Sequence, residues 1–95
     1  MFLIDIVFQD IEQITPELTL AHRQYLVPHY KNKTLLFGGR KVPRTGGIIL
    51  AQHLSQEQVH SLMQQDPLIA SGLARYTITE FQVVMAADDY HRLLS

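Results

Sequence analysis

The chain has no cysteine among its 95 residues, which excludes disulfides, thiolate metal sites and thiol nucleophiles together. A small secreted domain ordinarily leans on disulfides, so their absence points to a reducing compartment and a cytoplasmic location. No stretch approaches the ~18 consecutive apolar residues of a membrane span. The opening residues, Met1-Phe2-Leu3-Ile4-Asp5, have no basic leader and break their apolar run at Asp5, unlike a signal peptide. Charge is sparse too: eight Lys and Arg stand against nine Asp and Glu, for a net charge of −1. A duplex-binding protein draws its affinity from phosphate neutralisation, so a nucleic-acid partner is not expected.

What is present is a full apolar complement, 46% of the residues, which excludes a disordered chain. The length fits one domain over residues 1–95, read as a core of 1–84 and a tail of 85–95. A chain this short buries a modest share of its surface, so self-association is a natural stabiliser.

Phe2 to Phe8 alternates with a period of two. Phe2, Ile4, Ile6 and Phe8 share one face, while Leu3, Asp5 and Val7 share the other, so the strand needs cover on both sides. Thr15, Pro16 and Glu17 open a helix as N-cap, first residue and dipole partner. Its inward stripe is Leu18, His22, Tyr25, Leu26 and His29, and Pro28 predicts a kink or an end near Val27. Thr34 to Phe37 reads as a short strand closed by Gly38-Gly39. Residues 40–45 read as a polar loop, and Gly46-Gly47 opens a strand over Ile48 to Gln52.

Ser55 with Gln58 forms a capping box for a second helix, whose inner face holds Val59, Leu62, Met63 and Asp66. Pro67 biases Asp66 out of helical geometry. After a brief turn over Leu68 to Gly72, the last strand is expected over Arg75 to Val84 with a bulge near Thr79-Glu80. Asp88 is expected to cap a short helical tail. The order is βαββαβ, an α+β, ferredoxin-like arrangement with two helices on one face of a four-stranded antiparallel sheet. The other face, with Leu3, Val7 and Ile48 or Ile49, is left bare, and sheet-to-sheet dimerisation is the simplest cover for it.

His22 stands in the apolar stripe of the first helix, and Asp66 closes the inner face of the second. A carboxylate at a helix C-terminus meets the negative end of the dipole, so stability alone does not call for it there. Two helices lying side by side on one sheet bring such groups together, and imidazole with carboxylate is a proton-transfer couple. Asp66 equally fits an N-cap for a turn starting at Pro67, and His22 equally fits a core-edge histidine bonded to a backbone carbonyl. Metal binding is not expected: His22 and His29 lie about 10.5 Å apart along a helix, too far to share an ion. The segment from Gly38 to Gly47 carries four glycines with Arg40, Lys41 and Arg44, suited to holding a small anion or to forming a solvated hairpin tip. It lacks the GK[ST] signature and a following helix, so it is not a phosphate loop.

Four pieces in order, Leu20-Ala21-His22-Arg23-Gln24-Tyr25-Leu26, Gly38 to Leu50, Gln65-Asp66-Pro67-Leu68 and Thr77 to Phe81, resemble the YCII-related (YciI-like) domain family. The resemblance implies a dimeric α/β barrel and an active-site cleft whose His–Asp pair falls on His22 and Asp66. It points to cofactor-free lyase, isomerase or dehydrochlorinase chemistry on a small anionic substrate, a hydroxylated aromatic or a lactone; the charges of the segment itself, not the resemblance, make Arg40, Lys41 and Arg44 the expected substrate-binding groups. The alternative is a non-catalytic dimeric module that binds a metabolite. Three departures stand out: Arg40 where relatives commonly have Pro, Leu68 where they often carry an aromatic, and Pro28 in the first helix.

Overall fold

The computed structural model describes residues 1–94. Strands β1 (Phe2–Phe8), β2 (Leu35–Arg40), β3 (Gly46–Ala51) and β4 (Ala74–Glu80) form one antiparallel sheet in the order β2-β3-β1-β4. Helices α1 (Pro16–Lys31) and α2 (Gln56–Gln64), with a short α3 (Pro67–Ala70), complete the βαββαβ order. A single turn of 3₁₀ helix lies at Ile11–Gln13 and a two-turn one at Asp88–Leu93. Among the described residues, no helix is long and apolar enough to cross a membrane.

The alternation of β1 sets the layers. Phe2, Ile4 and Ile6 are buried under the helices with Leu26, Leu35, Val59, Met63 and Leu68, each such side chain contributing roughly 1.5–3 kcal/mol by leaving water. Leu3, Asp5 and Val7 point to the opposite face and keep partial exposure. Register assigns the two isoleucines of β3: Ile49 opposes Ile4 on the covered face, whereas Ile48 opposes Asp5 on the open one. The close approach of β3 to β1 depends on Gly46, where an added Cβ would come within 1.8 Å of the Ile6 carbonyl oxygen.

Both long helices start as their sequences direct. Thr15 Oγ1 accepts from the Leu18 amide ahead of Pro16, and Ser55 and Gln58 exchange the two bonds of a capping box. Of the kink or end expected near Val27, the end does not occur; α1 continues through Pro28 to Lys31. Gln24 and Pro28 are both exposed, so the carbonyl that loses its helical donor faces water, and the penalty for proline is small there.

Other expectations need correction. β2 runs through Gly38-Gly39 to Arg40, because β3 pairs with it as far as Gly47. The turn after Pro67 is a short helix over Pro67–Ala70. β4 ends at Glu80, where its partner β1 starts at Phe2, and the ladder closes with Phe81 N–H donating to the Met1 carbonyl. The bulge expected near Thr79-Glu80 is absent; the irregularity of the sheet lies in β2, between Leu35 and Phe37. Asp88 does not cap the tail: it sits inside the first 3₁₀ turn, and Ala87 precedes it without a side-chain bond.

Candidate active site

α1 crosses the sheet with Leu26 buried at its centre. His22, one turn earlier on the same stripe, reaches toward the junction of α2 and α3. There Asp66 leaves the helical region (φ −65°, ψ 126°) because Pro67 follows it. This exit turns the carboxylate back toward α1. The His22 Nδ1 to Asp66 Oδ2 distance is 2.6 Å, and Asp66 Oδ1 accepts the Leu68 amide at 2.9 Å. Both readings of Asp66 therefore hold together: one oxygen caps α3 and the other faces the imidazole.

The pair is asymmetric in exposure. The Asp66 side chain is fully buried and that of His22 is 17% exposed. A carboxylate only accepts hydrogen bonds, so the proton between the two belongs on Nδ1, and in the neutral ring Nε2 is a lone-pair acceptor. Beside this pair, the Tyr25 hydroxyl donates to the Leu62 carbonyl at 2.6 Å, tying α1 to α2. Burial pushes the Tyr25 phenol above its ordinary value, and the neighbouring Asp66 carboxylate raises it further.

His22 lies on the wall of a cavity of about 500 Å³ between α1 and the covered face of the sheet. Its apolar walls come from Ile6, Phe8, Ile14, Leu26, Val27, Ile49 and Leu68, and its floor from the glycines of β2 and β3. Three guanidinium side chains line it, those of Arg23, Arg40 and Arg44, and among the described residues no carboxylate does. Arg44 stacks over the Phe8 ring at 5.7 Å and reaches Thr19 Oγ1 at 3.4 Å. An apolar chamber with an uncompensated cationic rim favours a small anion with a flat or apolar body. Among the described residues, no group of three or more His, Asp or Glu side chains is placed to hold a metal ion.

Sequence reasoning brought His22, Asp66, Arg40, Lys41 and Arg44 forward; the structure places His22, Arg40 and Arg44 on the cavity wall and Asp66 buried behind His22. Lys41 is the correction. Its ammonium pairs with Asp5 on the open face of the sheet, because successive side chains of an extended chain alternate and Arg40 already points to the covered side. Arg23 and Tyr30, which also line the cavity, were missed. Arg23 directly follows His22, and Tyr30 lies eight positions after it, on the 22-26-30 line that a continuous helix would have revealed. Burial pushes the Tyr30 phenol upward.

A model of the YCII-related domain matches residues 4–82, whereas no curated protein sequence matches the chain. Among solved structures, 5-chloro-2-hydroxyhydroquinone dehydrochlorinase from Burkholderia phenoliruptrix AC1100, in complex with 2,5-dihydroxybenzoquinone, is similar. The TM-score is 0.73 at 23% identity, over 85% of this chain and 92% of that one. At this identity the likeness is one of fold.

Proposed function

The chain belongs to the YCII-related domain family, and from that premise we propose that it is a cofactor-free acid–base enzyme of the lyase or isomerase type. Its substrate is a small organic anion, a hydroxylated aromatic or lactone acid. The observation that carries this reading is the 2.6 Å contact between His22 Nδ1 and a fully buried Asp66, with the imidazole on the wall of an apolar, arginine-rimmed cavity.

In this reading Asp66 holds the ring in the Nδ1–H tautomer, and Nε2 takes a proton from the substrate. In an elimination, the electron pair of the broken bond forms the new double bond, and the leaving group departs with its own pair. Chloride would be that group in a reaction like the one named for the structural neighbour. In an isomerisation, the imidazolium returns the proton at another atom. The guanidiniums of Arg23, Arg40 and Arg44 hold the anionic end and orient the reacting bond toward Nε2.

The open face of the sheet supports a homodimer as the working form. Leu3, Val7, Phe37, Ile48 and Leu50 gather there, with Val7 and Phe37 42% and 55% exposed. Light scattering should give twice the chain mass, and a Leu50→Asp variant should return it to the monomer value.

The functional test is a thermal-shift screen of hydroxylated aromatic and lactone acids, with NMR of each stabilising compound for proton exchange or halide loss. His22→Asn should reduce turnover by ~10²–10⁴-fold, the usual worth of a positioned base, and leave the assembly unchanged. Unaltered turnover in that variant refutes the assignment of His22. Stabilisation by a ligand without any product would favour the non-catalytic binding module instead.

A further inference from the structure

Tyr30 sits two helical turns beyond His22 on α1 and lines the same cavity. Among the described residues its hydroxyl has no hydrogen-bond partner, in contrast to Tyr25, whose hydroxyl is tied to the Leu62 carbonyl. The position of that hydroxyl is set by an absence on the sheet. At Gly38 an added Cβ would lie 2.6 Å from the Tyr30 hydroxyl oxygen and 2.8 Å from the Ile48 carbonyl oxygen. Any side chain there would drive the phenol out of its seat.

We infer that Tyr30 is the specificity-determining residue of the pocket: its hydroxyl donates a hydrogen bond to an oxygen at the end of the ligand remote from His22, and Gly38 is bare to admit it. The inference rests on the proposed site but concerns recognition, not proton transfer. Three observations converge on it.

The first is chemical. The hydroxyl is an unused donor on an otherwise apolar wall formed by Leu26, Val27 and Ile49, and a donor left without a partner in such a wall is satisfied by ligand or by water. The second is electrostatic. Burial favours the neutral phenol, so the group remains a donor and does not repel an anion. The third is spatial. Eight residues of helix give about 12 Å of rise between the two positions, a span comparable with a single substituted ring flanked by a hydrogen bond at each end. The class of ligand this selects is a ring acid that also carries a hydroxyl, phenolate or carbonyl oxygen opposite its reacting end.

The matched probes are benzoate and 4-hydroxybenzoate, titrated by calorimetry into the wild-type protein and into Tyr30→Phe. The wild type should bind the hydroxylated acid roughly tenfold more tightly than the plain one, the worth of one hydrogen bond to a polar oxygen. Tyr30→Phe should bind the two equally and keep wild-type affinity for benzoate. That variant loses an unpartnered hydroxyl only, so its thermal midpoint should match the wild type.

A Tyr30→Phe variant that still prefers the hydroxylated acid overturns the inference, as does a wild type that does not distinguish the two. The acid–base reading fails separately. In that case discrimination persists while no compound in the screen is turned over. Turnover that depends on His22 without any such discrimination sinks the present inference alone.

Discussion

Behind the His22 wall of the cavity both carboxylate oxygens of Asp66 are engaged, one with the Leu68 amide and one with His22 Nδ1. At the mouth, Arg23, Arg40 and Arg44 line the opening, with no carboxylate of the described residues paired to them. The inner end is built from a helix stripe and a proline-directed cap around a fully buried carboxylate. The mouth is built from a hairpin and one exposed turn of α1. The first arrangement fixes an atom in space; the second supplies charge without fixing it. Groups that must meet a reacting bond belong in the first setting, and groups that attract and roughly orient an anion belong in the second.

The sharpest way to break this comparison is Asp66→Asn. An asparagine carbonyl still caps α3, but its amide nitrogen would present a donor to His22 Nδ1 and force the proton to Nε2. Turnover of a screened substrate should fall by ~10²–10⁴-fold while the thermal midpoint stays close to wild type. Equal activity in both proteins would show that the fixed end is only structural. Asp66→Ala removes the cap and leaves the Leu68 amide and the imidazole unpaired. Chemical denaturation should register a loss of about 2–3 kcal/mol.

The mouth should respond differently. Replacing Arg23, Arg40 or Arg44 with Gln should raise KM or Kd several-fold, with kcat nearly unchanged, since exposed charges are worth roughly 0.2–1 kcal/mol each. Affinity for an anionic probe should also fall with added salt. Lys41→Gln, facing the opposite side of the sheet with Asp5, should leave that affinity unchanged. A strong kcat effect from one arginine would move it from the mouth to the chemistry.

The smallest effect concerns pH. Tyr25 and Tyr30 both have phenols raised above the ordinary value of 10. Each therefore adds stability that is complete below about pH 10 and is lost as pH climbs through the higher folded value. Urea midpoints measured at neutral pH and above pH 11 should drop less in Tyr25→Phe than in the wild type.

Much of this architecture is legible in the chain. Period-two alternation in Phe2–Phe8, the Thr15-Pro16 and Ser55–Gln58 starts, and Asp66 before Pro67 are local signals that tertiary packing reinforces. The site was less legible where one local rule overrode another. Expecting a kink or an end near Val27 left Tyr30 off the inward stripe, because the rule weighs a lost bond without asking whether the orphaned carbonyl meets water. Reading residues 40–45 as a loop discarded the alternation that sends Arg40 and Lys41 to opposite faces. Arg23 looks like a solvated flank of His22, and only the position of α1 over the sheet shows that it borders a cavity. Asp66 offered a cap and a histidine partner as rivals, and its two oxygens take one each.

The inner end carries the account, and its state is open to observation without any substrate. Two-dimensional 1H–15N correlation through the two-bond couplings of the imidazole rings reports which nitrogen of His22 carries the proton in the neutral ring. The account predicts a protonated Nδ1 and a bare Nε2, with that pattern reversed in Asp66→Asn. A wild-type His22 protonated on Nε2 would contradict it.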